Sequence, residues 1–302
     1  MQISAVIPTK NRLHDLQNAV QSILDQTRLP DELVIIDQSD SESPRSAVYK
    51  LFEAAIEKPR LIYVLDPEIA GLIPAKKASL SHSSGDLICF LEDDVVLEPD
   101  YVANMEAAFL EKPEMIGACG IVTIGAKTSL PYLWLFHLFH RGIFEDRRVG
   151  IHGLPEKAGM ELIPSNYLSG GLSAYRREVF DVIPFDTVNQ LFMLEDIDFS
   201  TRAVRHFGAE RFFINPASRL AHYMSPVNRT QFGPRWERKG REYILFYKKH
   251  CDQPAALISL IWLLIGLVLE GGYASLRIFR LSPLFGLLRG ISKGVKQQLL
   301  PL

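Results

Sequence analysis

Short apolar runs alternate with amphipathic stretches from the first residues to Ile121. Ile3 to Ile7 is an apolar run halted by Pro8. Leu13, Leu16, Val20, Ile23 and Leu24 then recur at helical spacing, which predicts an amphipathic helix. Leu33 to Ile36 is a second apolar run, ending at Asp37. A helical stretch from Arg45 to Glu57 precedes a third run, Leu61 to Leu65. Leu72 to Ser83 reads as helix, Gly85 breaks it, and Leu87 to Leu91 is the next strand. Pro99 fits the first turn of a helix through Leu110, and Met115 to Ile121 is one more strand. Strands buried on both faces read as near-continuous apolar runs. Their alternation with helices predicts an α/β fold with a doubly wound, mainly parallel sheet.

The pattern changes after Thr123. Pro131 to Phe144 reads as aromatic and irregular, and Arg147 to Pro164 as loop. An extended segment from Asn166 leads into Gly170-Gly171. Glu195 to Phe207 is helical and closes at Gly208, a good helix C-cap. Ala255 to Leu269 is fifteen residues without a charge. As a helix it spans about 22 Å, short of a hydrocarbon core of about 30 Å. A buried core helix would read the same way. The C-terminal stretch favours a membrane-associated segment: Leu281, Leu284, Leu287, Leu288 and Ile291 recur near helical spacing, interspersed with Arg289, Lys293 and Lys296. That combination suits anionic lipid head groups, and whether the segment spans or lies in the interface stays open.

Composition adds bounds. With 302 residues, 47% hydrophobic and 23% charged, the chain can bury a sizeable core and is not globally disordered. A net charge of −2 removes the electrostatic case for nucleic acid. The average hides an asymmetry: five cations and no acid lie between Gly271 and Leu302. Cys89, Cys119 and Cys251 have no metal-ligand spacing, and so sparse a set suits a reducing compartment. The N-terminus enters a strand pattern directly, without the basic and apolar regions of a signal peptide, so a cytoplasmic catalytic part is expected.

Four constellations carry candidate chemistry. Glu92-Asp93-Asp94 directly follows the apolar run Leu87 to Leu91, so three acids stand where a strand leaves the sheet. Ligands bind at such strand ends, and clustered carboxylates repel unless something positive neutralises them. A divalent cation with a bound phosphate would do so, although a polar helix-capping loop reads alike. Pro8-Thr9-Lys10-Asn11-Arg12 ends the first strand and suits a nucleoside diphosphate at a helix N-terminus. Asp37 ends the second strand, where a carboxylate can accept hydrogen bonds from a base or ribose. Lys76, on the helix before the acid triplet, can reach toward a phosphate or face solvent. Finally, Glu195, Asp196 and Asp198 open a helix. Three acids within four residues exceed what the helix dipole needs, so one is a candidate general base. His222 is a candidate third metal ligand. From Asn228 to Lys249, cations including Arg229, Arg235 and Arg238 are interleaved with Trp236, Tyr243, Phe246 and Tyr247, either as a solvated basic face or as a surface for lipid phosphate.

Taken in order, AVIPTKNR, VIIDQSD, SSGDLICFLEDDVVLEPDYV, SGGLSAYRREVF and LEDIDFSTRAVRHFG resemble the family 2 glycosyltransferases, which use the nucleotide-diphospho-sugar fold called GT-A. The resemblance covers roughly Ile3 to His222. It implies a catalytic domain over residues 1–222, with 1–123 its nucleotide-binding half and 124–222 its acceptor half, followed by a basic and apolar membrane-associated region, 223–302. It implies inverting transfer from a nucleotide-diphosphate sugar to a hydroxyl acceptor, a lipid-linked or surface-polysaccharide precursor, at the cytoplasmic face of a bacterial membrane. Asp37 would contact the base, with Pro8, Thr9, Arg12, Lys76 and Asp93 around the nucleotide and ribose. Asp94, with Glu92 and His222, would hold Mg²⁺ or Mn²⁺. Asp196 would be the catalytic base, and Gly170, Gly171, Glu195 and Trp236 would serve the sugar and acceptor. Two positions depart from the family pattern: Glu92 where aspartate is commoner, and Lys76-Lys77 where Arg-Asn is frequent. A nucleotidyltransferase or dehydrogenase would carry a glycine-rich loop after the first strand, and none is present. A degenerate family member acting as an assembly partner would have lost one acid cluster, and both are intact.

Overall fold

Four apolar runs become parallel neighbours. In a computed structural model, which describes residues 1–125, 128–225 and 232–301, β1 (Ile3–Thr9), β2 (Glu32–Asp37), β3 (Arg60–Leu65) and β4 (Leu87–Leu91) pair in the spatial order β3-β2-β1-β4. Between them run α1 (Leu13–Leu24), α2 (Ser43–Ala54) and α3 (Leu72–His82). The chain winds outward from β1 to β3, then crosses back to β4 on the other side of β1. A crevice at such a reversal is where open α/β sheets place ligands. β1 runs on through Pro8 to Thr9, beyond the expected stop. Its pairing with β4 ends at Val6, so Pro8 keeps only the β2 neighbour.

Beyond β4 the sheet is mixed, where the sequence pattern predicted mainly parallel pairing. The remaining elements are β5 (Val95–Leu97), α4 (Tyr101–Glu111), β6 (Gly117–Ile124), α5 (Leu130–Phe139), α6 (Arg148–Gly153), β7 (Ile163–Pro164), β8 (Leu172–Arg176), α7 (Glu178–Val182), α8 (Glu195–Phe207) and β9 (Phe212–His222). β8 inserts antiparallel between β4 and β6, and β9 lies parallel to β6 but antiparallel to β5. α5 and α6 also replace an expected irregular segment and loop. α5 buries Leu133, Phe136 and Phe139 at helical spacing, but exposes Leu130 and Trp134. Apolar residues on both faces erased the periodicity that marks an amphipathic helix.

Three helices complete the chain: α9 (Phe232–His250), α10 (Ala256–Arg277) and α11 (Ser282–Lys296). A first apolar core fills the space around the sheet. A second joins Ile143, Phe144, Leu191 and Leu194 to Leu245 and Phe246 of α9, Leu263 and Leu267 of α10, and Leu287 of α11. α9 and α11 meet backbone to backbone. Gly286, Gly290 and Gly294 stand four residues apart on the contact face, and a Cβ on Gly290 would fall 1.9 Å from the Glu237 carbonyl oxygen. Only small residues permit so close a crossing. Arg289 and Lys293 close the seam on the Glu237 carboxylate.

α10 is two-faced. Leu260, Leu263, Gly266 and Leu267 pack inward, while Ile258, Ile261, Trp262, Ile265, Leu269 and Leu276 face out, Ile258 71% and Leu276 75% exposed. It is the one helix among the described residues long and apolar enough to cross a membrane. Its inner face is committed to the rest of the molecule, against α5 in particular: a Cβ on Gly266 would fall 2.4 Å from Phe139 Cβ, and even from the outward side Trp262 Nε1–H donates to the Leu138 carbonyl at 2.7 Å.

Candidate active site

Three strands deliver one cluster of donor atoms. β4 ends at Leu91, and Glu92, Asp93 and Asp94 turn the chain into β5. β9 pairs with β5 in the register Val95 to His222, which sets the imidazole against the turn. His222 Nε2 lies 3.0 Å from Glu92 Oε2 and 3.1 Å from Asp94 Oδ1. The three donor atoms lie within 4.8 Å of one another. Burial disfavours charge on His222, but Asp94 and Glu92 outweigh it and raise its pKa to about 9. Burial likewise opposes ionised Asp94, yet hydrogen bonds from His222 and the Ser225 N–H hold it well below the ordinary carboxylate range. Two carboxylates and an imidazole fit a divalent cation, oxygen-rich enough for Mg²⁺ or Mn²⁺.

Asp93 faces the end of β1. Its Oδ2 accepts the Thr9 hydroxyl at 2.7 Å and its Oδ1 accepts Arg12 Nη1, also at 2.7 Å, while Arg12 stands 3.6 Å from Asp94. Burial pushes Asp93 up to about 6, against the pull of Arg12 and Thr9. The sequence motifs ending β1 and β4 are therefore one structure.

Gly170-Gly171 joins this cluster to the acids of α8. The Glu92 N–H donates to the Gly171 carbonyl at 3.0 Å, and the Gly170 N–H donates to Asp196 Oδ2 at 3.3 Å. A Cβ on Gly171 would lie 2.2 Å from Glu92 Cγ, and one on Gly170 would lie 2.2 Å from Glu195 Oε1. The resemblance implies that these glycines let the backbone approach the donor sugar or acceptor; in this structure they make room for carboxylates on both sides. Consecutive Cα atoms are about 3.8 Å apart, so the two acid groups flank a single dipeptide.

The three acids of α8 have separate partners. Glu195 is buried against Lys76, whose Nζ donates to Glu195 Oε1 at 2.5 Å and to the Gly170 carbonyl at 2.8 Å. Burial pushes Glu195 up while Lys76 pulls it down. Lys76, expected either to reach toward a phosphate or to face solvent, is in this structure a buried strut. Asp198 accepts Arg202, Lys249 and His250, tying α8 to the end of α9. Asp196 remains, 22% exposed, with Oδ2 held at 2.6 Å by Arg148 Nη1. Arg148 is itself locked by Asp146, through Nε to Oδ1 at 2.9 Å and Nη2 to Oδ2 at 2.7 Å. Burial opposes its charge, and Asp146 with Asp196 more than restores it. Arg148 was missed in the sequence because it lay in an expected loop. The Asp146-Arg147-Arg148 triplet was the only hint.

Two further candidates remain, and the first, Asp37, is the β2 register partner of Thr9. Asp37 is fully buried, its Oδ1 accepting the Ser39 N–H at 2.9 Å and its Oδ2 the Tyr63 hydroxyl at 2.6 Å, so the residue suggested for the base braces the β2 end. Trp236 packs on the second apolar cluster with Lys239 Nζ 4.9 Å from its ring centre. Among the described residues no hydrogen bond joins it to either acid group. Arg229 lies outside the described residues.

Comparison with known proteins bears on this arrangement. The family model described as Glycosyl transferase family 2 matches residues 4–183. The uncharacterized glycosyltransferase YwdF of Bacillus subtilis (strain 168) is 29% identical over 214 residues, 70% of this chain and 71% of that one. The UDP-Glc:alpha-D-GlcNAc-diphosphoundecaprenol beta-1,3-glucosyltransferase WfgD of Escherichia coli is 29% identical over 103 residues, but the match spans only 34% of this chain and 37% of that relative. The mannosyltransferase PcManGT from Pyrobaculum calidifontis, solved in complex with GDP-Man and Mn²⁺, superposes with a TM-score of 0.62 over 97% of this chain and 87% of that one. At 15% identity, that likeness establishes the GT-A fold.

Proposed function

The chain belongs to glycosyltransferase family 2, and from that premise we propose that it moves a sugar from a nucleoside-diphosphate donor to a hydroxyl of a lipid-linked acceptor, with inversion at the anomeric carbon. The observation that carries this reading is the convergence of Glu92, Asp94 and His222 within one glycine pair of Asp196. Glu92, Asp94 and His222 would hold the divalent cation, which would offset the negative charge developing on the diphosphate leaving group. Thr9, Arg12 and Asp93 would line the donor side, where Asp93 would accept a ribose or sugar hydroxyl.

Asp196 is the general base of this reading. Its carboxylate takes the proton of the acceptor hydroxyl as that oxygen bonds to the anomeric carbon. The bond from that carbon to the diphosphate breaks, and the nucleoside diphosphate leaves with the electron pair. A single displacement inverts the centre and needs no covalent enzyme intermediate. Arg148 positions the carboxylate, and Asp146 fixes Arg148.

Donor hydrolysis tests the proposal: purified protein with a panel of nucleotide sugars, in Mn²⁺, in Mg²⁺ and in excess chelator. We expect slow release of one nucleoside diphosphate that chelator abolishes. No release and no nucleotide binding in any condition would defeat the transferase reading.

The acceptor class rests on the outer face of α10. Its exposed apolar residues continue into Phe279 and Leu281, with Arg277 and Arg280 between and beside them in sequence, while Arg289 and Lys293 are engaged by Glu237. A face of this kind suits burial at the head-group level of an anionic bilayer, with the inner side of α10 retained on the protein. The proposed location is the cytoplasmic face of a bacterial membrane, and the division into a catalytic domain, 1–222, and a membrane-associated region, 223–302, accords with it. The protein should float with vesicles containing phosphatidylglycerol, and Ile261→Asp with Ile265→Asp should release it. Flotation unchanged by the double substitution would remove α10 from the contact.

A further inference from the structure

One cavity has no part in the transfer chemistry. It has a volume of about 150 Å³ and is walled chiefly by Phe136, Phe144, Leu194, Ile197, Tyr243 and Phe246. A mainly apolar cavity of that size accepts a benzene-sized guest. Its position is specific. Leu194 and Ile197 bracket Glu195 and Asp196, and Asp146, which fixes Arg148, is also in the wall. On the other side Phe136 belongs to α5, the helix clasped by α10. The cavity thus lies between the base-bearing helix and the helices with the outward apolar face.

One wall residue is a buried carboxylate with one oxygen only weakly satisfied. Glu242 is fully buried, and its Oε2 accepts the Met193 N–H at 2.6 Å. Its Oε1 has no hydrogen-bond partner among the described residues, and Arg241 Nη2 stands 3.7 Å away. A buried oxygen left without a partner costs free energy that a bound polar group would recover. The site therefore asks for a compact apolar body carrying one hydrogen-bonding atom.

We propose that this cavity is the subsite for the phosphate-proximal isoprenoid unit of a polyprenyl-phosphate-linked acceptor, with the linking oxygen facing Glu242. The assignment rests on the lipid-linked reading of the acceptor. A branched five-carbon unit matches the volume, and the chain beyond it would leave along α5 and α10 toward the bilayer. Burial pushes Glu242 up to about 7, so near neutrality much of it keeps a proton to donate to that oxygen. The other charged or titratable wall groups are engaged: Asp146 by Arg148, Lys239 by Glu270, and His140 by Tyr243 and the Phe136 carbonyl.

The test uses the full chain in mild detergent with farnesyl phosphate as probe and inorganic phosphate as control. Wild type should bind farnesyl phosphate and not inorganic phosphate. Val149→Phe, which fills the cavity from its wall, should weaken binding by about tenfold or more. Glu242→Met, which keeps the volume but removes the donor, should also weaken it. Equal affinity in wild type and both variants would overturn the assignment. Should Val149→Phe fail to fold, a diazirine-bearing farnesyl phosphate decides with wild type alone: adducts on peptides holding Phe136, Phe144 or Phe246 support the cavity, and adducts confined to the outer face of α10 refute it. Failure to bind the probe by a protein that hydrolyses a nucleotide sugar refutes the cavity and leaves the transferase reading intact. Probe binding in the cavity without donor hydrolysis under any condition supports the site and counts against the transferase.

Discussion

Asp196→Asn should lower transfer by about a thousandfold while leaving donor affinity nearly unchanged, since a positioned general base is worth about 10² to 10⁴ in rate. The substitution is isosteric. The amide oxygen can still accept from Arg148 Nη1 and the Gly170 N–H, the two groups now held by Oδ2. What is lost is basicity, together with the Ile197 N–H bond that Oδ1 now accepts, so the defect should fall chiefly on kcat. Arg148→Lys should reproduce part of it, because lysine cannot grip Asp146 with two nitrogens and reach Asp196 with a third. The measurement pairs product formation with donor titration in Mn²⁺. Substantial turnover by Asp196→Asn would move the base elsewhere.

Asp94→Asn should weaken cation affinity by at least about 100-fold, more than the 10- to 100-fold typical of changes behind the ligands. The asparagine oxygen can keep the Ser225 N–H that Asp94 Oδ2 now accepts, so the fold should survive. The loss would be of negative charge between His222 and Arg12. Donor binding that depends on the cation should fall with it, in contrast to the Asp196 variant. Free Mn²⁺ measured by electron paramagnetic resonance across a titration gives the affinity directly. An unchanged Mn²⁺ affinity would show that the cation, if one binds, binds elsewhere.

The residues differ in how plainly their roles could be read beforehand. β1 to β4 were legible because burial on both faces demands apolar runs, and the acids following β4 interrupt such a run abruptly. β8 and β9 were not, because antiparallel insertion leaves no mark on the strand itself. His222 was a lone histidine until the register of β5 on β9 set it beside Asp94. The acids of α8 were legible as a group but not individually. Their roles diverge through Lys76, Arg148 and His250, none of which is near them in sequence. Arg148 shows why: a charged residue in a polar stretch looks solvated until tertiary contacts bury it.

The glycine seam between α9 and α11 has a consequence for acceptor choice. α11 cannot slide or swing on α9 without driving backbone into backbone, and α9 is pinned to the base-bearing helix by Lys249 and His250 on Asp198. Under the membrane reading, these packed contacts make one strut between the C-terminal helices and Asp196. Such a strut is a ruler: it fixes the height above the bilayer at which a hydroxyl can meet the base. Acceptors carrying saccharides of graded length on one lipid should then show a sharp optimum, and activity indifferent to length would mean that the strut bends.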